Sequence, residues 1–189
     1  MKAIAGLLVL IVIFGSLNTA RAESVPSRPR LAPDTLFIKA GLAEKAAAFS
    51  LGVGWDKSAW LAFLPAAMSL AFEVEIGHWQ TFHLRHVQAE FTQIGVTPML
   101  RLPLATSARQ QWFVEGGVGF HFIVPLYRQQ EKRFSTSFNF QDLLGLGVRY
   151  GKARRNEVAL YASHFSNADI NQPNPGENFL QLRYLRRFD

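Results

Sequence analysis

The chain has 189 residues, of which 49% are hydrophobic, 13% aromatic and 18% charged, with no cysteine and a formal charge of +6. This composition excludes a disordered chain and a disulfide-stapled secreted scaffold. A large soluble core, a helical membrane bundle and a membrane barrel remain, and the placement of the apolar residues separates them.

At the N-terminus Lys2 precedes an apolar run from Ala3 to Gly15, and a polar stretch then ends in Ala20-Arg21-Ala22. That layout predicts a secretory signal peptide over residues 1–22 with a small-x-small cleavage site. The run is short for a spanning helix. The mature chain, residues 23–189, loses Lys2 and Arg21 and keeps a formal charge of +4. Its longest apolar stretch, Ala59 to Phe72, is broken by Pro65 and Ser69, so no mature segment has the length of a membrane helix.

The mature apolar residues alternate instead. Leu36, Ile38, Ala40 and Leu42 oppose Phe37, Lys39 and Gly41; Phe49, Leu51, Val53 and Trp55 oppose Ser50, Gly52, Gly54 and Asp56. Leu70, Phe72, Val74 and Ile76 oppose Glu73, Glu75 and Gly77. A fourth segment, Val87 to Met99, fits poorly because Gln93 interrupts its apolar parity and Pro98 sits near its end, which predicts a bulge or a displaced boundary. Val114, Val118, Phe120 and Phe122 then oppose Glu115, Gly117, Gly119 and His121, and Phe138 to Tyr150 alternates in the same way. Glu157 to Ser166 and Leu180 to Phe188 complete eight strands of period two.

Such a series predicts an all-β, eight-stranded antiparallel barrel, either lipocalin-like or transmembrane. Lys39, Glu73, Glu75, Glu115, Arg149 and Arg183 share the polar parity and suit an ion-paired lumen, which favours the transmembrane form. Trp55, Trp60, Trp79, Trp112, Tyr127 and Tyr150 lie near strand ends, where interfacial girdles are expected. With a periplasmic N-terminus, the connections near Ala43–Lys45, Gln80–His86, Arg128–Ser137 and Asn167–Gly176 face outward.

The seventh strand places Val158, Leu160, Ala162, His164 and Ser166 on the lipid-facing parity, so two polar residues end an apolar row at the outer rim. Residues i and i+2 share a face about 7 Å apart, and an imidazole there can accept a proton from a hydroxyl. Read by spacing alone, the pair is equally an ordinary interfacial His and Ser. Among the downstream carboxylates, Glu177 opens the last strand beside this rim and Asp169 is the second candidate to orient His164, although Glu177 falls on the inward parity. Asn167 offers an amide donor to a developing oxyanion.

His164-Phe165-Ser166-Asn167-Ala168, with Gln172-Pro173-Asn174-Pro175-Gly176-Glu177, resembles the C-terminal signature of the lipid A 3-O-deacylase (PagL) family. Phe138-Asn139-Phe140-Gln141-Asp142 and Trp55-Asp56-Lys57-Ser58 resemble further segments of it. The resemblance implies an outer-membrane esterase that removes the 3-hydroxyacyl chain at position 3 of lipid A with a Ser-His-Glu triad facing the outer leaflet. It makes Ser166 the nucleophile, His164 the base, Glu177 the orienting acid and Asn167 an oxyanion contributor. Two departures accompany it: Asp169 replaces a commoner small residue, and the short Gly176-Glu177 junction can set the acid one residue early.

Lipid A within lipopolysaccharide is then the expected substrate and outer-membrane lipid the surroundings, with a homodimer as an open further partner. Arg85, Arg128, Lys132 and Arg133 are rim cations that suit either lipid A phosphates or solvent. No cofactor or metal is expected, since His83-x-x-His86 lacks further ligands, and the basic residues lack the aromatic-interleaved patches of a nucleic-acid surface. The competing readings are a non-catalytic adhesion or membrane-stability barrel and an acyltransferase barrel with an interior acyl pocket.

Overall fold

A computed structural model describes residues 32–58, 68–82, 90–129 and 131–188. The expected signal peptide, Trp60, the His83/His86 pair and Arg85 lie outside the described residues. Eight strands follow in order: β1 (Thr35–Leu42), β2 (Ala46–Asp56), β3 (Ser69–Thr81), β4 (Glu90–Thr106), β5 (Gln110–Val124), β6 (Phe138–Tyr150), β7 (Asn156–Ser166) and β8 (Glu177–Arg187). Each pairs antiparallel with its sequence neighbours, and β1 closes the barrel on β8 with Lys39 opposite Arg183.

Closure removes every open sheet edge, and period-two alternation then divides the residues into a lumen and an outer coat. The coat is apolar: Leu51, Ile76, Ile94, Phe122, Leu144 and Leu180 all point outward, Leu144 with 64% of its surface exposed. Such a continuous apolar exterior belongs in lipid rather than water. In the lumen, Glu73, Glu75, Glu115 and Glu157 meet Lys39, Arg101, Arg149 and Arg183. Arg101 forks onto both oxygens of Glu157 at 3.0 and 2.8 Å and reaches Glu115 at 2.6 Å. Arg183 bonds Glu73 and, at 2.5 Å, Glu115, which also accepts the Tyr161 hydroxyl. Lys39 pairs with Glu75 at 2.7 Å, and Gln93 joins Glu75 to His121. Four carboxylates against four cations leave a nearly neutral lumen, and the cavity of about 30 Å³ among Glu73, Arg101, Glu115 and Glu157 is too small for an acyl chain.

The end of the lumen beside the β5–β6 and β7–β8 connections is aromatic instead. Trp79, Phe91, Tyr127, Phe134, Phe165 and Phe179 form one buried cluster, with Trp79 edge-on to Phe165 and Phe179 at centroid distances of 4.8 and 4.7 Å. This corrects the girdle expectation for Trp79 and Tyr127, which plug the barrel from inside. Trp112 does lie outward at a strand end. It also corrects β4, whose inward row is Phe91, Gln93, Gly95, Thr97 and Met99 and whose lipid row is Ile94, Val96, Pro98, Leu100 and Leu102. Gln93 does not interrupt the apolar row because it lies on the other face. The expected irregularity falls later, as a register shift between Pro103 and Thr106 against β5.

The β1–β2, β5–β6 and β7–β8 connections meet at one end of the barrel: Lys45 pairs with Glu131 at 2.5 Å, and the Ser135 hydroxyl donates to the Asn171 carbonyl at 2.8 Å. Arg183→Ala strands Glu73 and Glu115 without their shared counter-ion and is expected to lower unfolding free energy by about 3–5 kcal/mol. Leu51→Arg, mid-strand on the lipid face of β2, is expected to cost about 2–4 kcal/mol. Urea titration of the barrel in lipid vesicles checks both, and wild-type midpoints would contradict the assignment of lumen and coat.

Candidate active site

The inward residues of β7, Ser163 and Phe165, are buried in the lumen, while His164 and Ser166 stand half-buried on the outer wall. Antiparallel register sets His164 between Asp142 of β6 and Asn178 of β8 in one outward row, and Ser166 beside Phe140. His164 Nδ1 lies 2.7 Å from Asn178 Oδ1. An amide oxygen can only accept, so this bond needs a proton on Nδ1, and in a neutral imidazole it leaves Nε2 as the acceptor. Among the described residues the Ser166 hydroxyl has no hydrogen-bond partner, His164 included.

The loop between β7 and β8 is built around this pair. Ala168 and Asp169 both take positive φ, and Ile170 N–H returns to the Asn167 carbonyl at 3.1 Å, giving a tight turn just after Ser166. Asp169 accepts hydrogen bonds from Gln172 at 2.8 Å and Asn174 at 3.0 Å. The loop then turns back through Gly176 at φ 63° and enters β8. A Cβ on Gly176 would lie 2.4 Å from His164 Cε1 and 3.0 Å from Nε2, so the glycine both permits the turn and lets the backbone meet the imidazole.

Three expected site residues are placed differently from one another. Glu177, opposite Phe165, points into the lumen, where it accepts from Tyr127 at 2.8 Å and Lys132 at 2.7 Å. The structure therefore does not bring Glu177 to His164, because the strand parity that sends His164 outward sends Glu177 inward. Burial, and then the Glu177 carboxylate beside it, push the Tyr127 hydroxyl far above the usual phenol range, so it remains a donor. The second candidate acid, Asp169, is held within its own loop. Asn167 is buried and committed: its amide group donates to Ser135 and to the Asn171 carbonyl, and its backbone N–H donates to Asn174. Lys132 is thereby removed from the rim cations, while Arg128 and Arg133 stay exposed in a short bridged turn.

The sequence reading missed Asn178 and Asp142 as neighbours of His164. Both were marked by parity: Asn178 shares the row of Leu180 and Leu182, and Asp142 the row of Phe140 and Leu144. From this end a shallow apolar groove runs down the outer wall between Leu100, Val118 and Leu144, with Gly116 and Ala162 as its floor.

An apolar coat, a charged lumen and eight antiparallel strands define a bacterial outer-membrane β-barrel. Among such barrels, the chain belongs to the lipid A 3-O-deacylase (PagL) family, whose sequence profile matches residues 46–187. It is 35% identical over 79 residues to the lipid A deacylase PagL of Bordetella bronchiseptica, a match covering 42% of this chain and 43% of that protein. With the lipid A deacylase PagL of Pseudomonas aeruginosa it shares 32% identity over 72 residues, 38% of this chain and 40% of that one. These matched segments thus span less than half the length of either relative. The fold is similar to a crystal structure of the outer membrane enzyme PagL, with a TM-score of 0.66 and 22% identity over 82% of this chain and 99% of that one.

Gly176→Ala is expected to push the imidazole out of line while leaving the barrel closed. Labelling of Ser166 by a fluorophosphonate should slow by about 100-fold, the cost of roughly 1 Å of misplacement, with unchanged heat-modifiable gel mobility. Wild-type labelling would show that the loop does not seat His164.

Proposed function

We propose that this protein is an outer-membrane esterase that hydrolyses the 3-O-linked 3-hydroxyacyl chain of lipid A, with Ser166 as nucleophile and His164 as base. The observation that carries this reading is the His164 side chain, whose Nδ1 bond to Asn178 makes Nε2 the acceptor of the neutral ring, on the same outward face as Ser166. Membership of the family, and the description of the two relatives as lipid A deacylases, supply the substrate.

The chemistry follows from these groups. Ser166 Oγ attacks the ester carbonyl as its proton passes to His164 Nε2, and the tetrahedral adduct expels the sugar oxygen, which takes that proton from the imidazolium. His164 next removes a proton from water as its oxygen attacks the acyl-serine carbonyl, and the adduct expels Ser166 Oγ, which takes that proton back from the imidazolium as the free 3-hydroxy fatty acid leaves. Asn167 reaches an oxyanion only by releasing Ser135 or Asn171 from its amide group or Asn174 from its backbone N–H, so its main service is to fix the loop behind Ser166.

Position supports the same reading. The β5–β6 and β7–β8 connections lie at the end opposite the start of β1, so a periplasmic start of β1 supports an outer-leaflet position for His164 and Ser166, level with the sugar-acyl junction of lipid A. The groove below them, lined by Leu100, Val118 and Leu144, is a bed for an acyl chain that never leaves the membrane. Exposed Arg128 and Arg133 are placed to meet lipid A phosphates. The ion-paired lumen speaks against an acyltransferase that buries its chain inside.

Mass spectrometry of lipid A from cells expressing the full chain tests the proposal. The wild type is expected to remove one 3-hydroxyacyl group, and Ser166→Ala and His164→Ala each to lower the rate by at least about 1,000-fold. Unchanged lipid A with all three proteins, each folded in the outer membrane, would favour a non-catalytic barrel.

A further inference from the structure

In a Ser-His-acid triad the acid does two things: it holds the imidazole in one tautomer and it offsets the positive charge that the ring acquires. We infer that in this protein the two duties are divided between the strands flanking His164, with Asn178 of β8 fixing the tautomer and Asp142 of β6 supplying the charge. The inference rests on the proposed ester hydrolysis by Ser166 and His164.

Asn178 is the hydrogen-bond partner of Nδ1 at 2.7 Å, and an amide oxygen fills that place in the Cys-His-Asn proteases. A neutral amide orients the ring but brings only a dipole to an imidazolium. The carboxylates expected for that task are elsewhere: Glu177 faces the lumen with Tyr127 and Lys132, and Asp169 is held by Gln172 and Asn174. Asp142 remains. It is exposed on the outer wall, it is the direct cross-strand partner of His164, and among the described residues it has no hydrogen-bond or ion-pair partner. Directly opposed residues on antiparallel strands hold their Cβ atoms about 4.5–5.5 Å apart, close enough for a carboxylate and an imidazolium to attract strongly beside lipid.

The placement of Asp142 is otherwise costly. It interrupts an apolar row between Phe140 and Leu144, where an unpaired carboxylate loses hydration and gains nothing. A cation that forms beside it during each turnover reverses that cost at the moment of reaction. The other neighbours of His164 carry no charge on this face: Asn178 on β8, Ser166 and Ala162 on β7, and the backbone of Gly176 in the loop. Glu177 approaches the same rim from the lumen side and is neutralised there by Lys132. Asn178 and Asp142 are thus positioning residues that act through His164.

The test uses the full-length barrel, folded in detergent with purified lipopolysaccharide as substrate, and compares kcat, KM and the pH profile. Asn178→Ala is expected to lower kcat by about 100-fold with little change in KM, since orientation is lost. Asp142→Asn, nearly isosteric, is expected to lower kcat by about 10- to 100-fold and to move the acid limb of the profile about one pH unit lower, because the imidazolium loses its counter-charge. Asn178→Asp restores a carboxylate at Nδ1, so in that background Asp142→Asn should cost less than about 3-fold. An Asp142→Asn enzyme with wild-type kcat and an unmoved acid limb would overturn the charge assignment, as would an equal loss in both backgrounds. Wild-type kcat in Asn178→Ala would overturn the orienting assignment. If Ser166→Ala or His164→Ala retained activity in the same assay, the esterase reading itself would fail.

Discussion

The ion-paired lumen is the constraint on which the rest of this barrel depends. Arg183 and Arg101 bind Glu73, Glu115 and Glu157 inside the barrel, so these charges are satisfied only while the strands that carry them keep their register. A slip of one residue on β3, β5 or β7 would carry a carboxylate into lipid and an apolar side chain into the network. Register held in this way also sets the outer wall, because side chains alternate without exception along a regular strand. His164, Asn178 and Asp142 meet on that wall because their lumen-facing neighbours are pinned.

Behind the outer rim the pinning is aromatic. Phe165 and Phe179 alternate with the site residues and pack edge-on against Trp79, and Phe165 also meets His121 edge-on at 5.4 Å. A packed aromatic plug on one face of β7 and β8 supports the row of His164 and Asn178 on the other. The loop from Asn167 to Gly176 closes the arrangement by tying Asn167 to Ser135, Asn171 and Asn174. Chemistry on a lipid-facing wall needs no entrance for its substrate, and the low dielectric of the surroundings makes each polar neighbour of His164 count for more than it would in water.

Most of the fold was legible before any coordinates, because a barrel with a charged lumen writes period two into every strand. Glu73 and Glu75 against Val74 and Ile76 admit one assignment of faces. Legibility failed where both faces are apolar. Phe91 on β4 and Trp79 on β3 belong to the lumen plug, and hydrophobicity cannot separate a residue facing packed aromatics from one facing lipid. Tyr127, outside the strands, offered no parity at all and was buried by a loop that folds back into the mouth.

The sequence alone determined the barrel, its strand number, the lumen charges, and the placement of His164 and Ser166 on the outer parity, since each of these depends only on alternation along one strand. The partners of His164 were decided by tertiary structure. Whether residue 177 or 178 meets the imidazole, and which residue of β6 lies on its far side, depends on the register between strands and on a loop whose turns are set by Ala168, Asp169 and Gly176. Register is a property of pairs of strands and of the closed ring they form, and no single strand carries it.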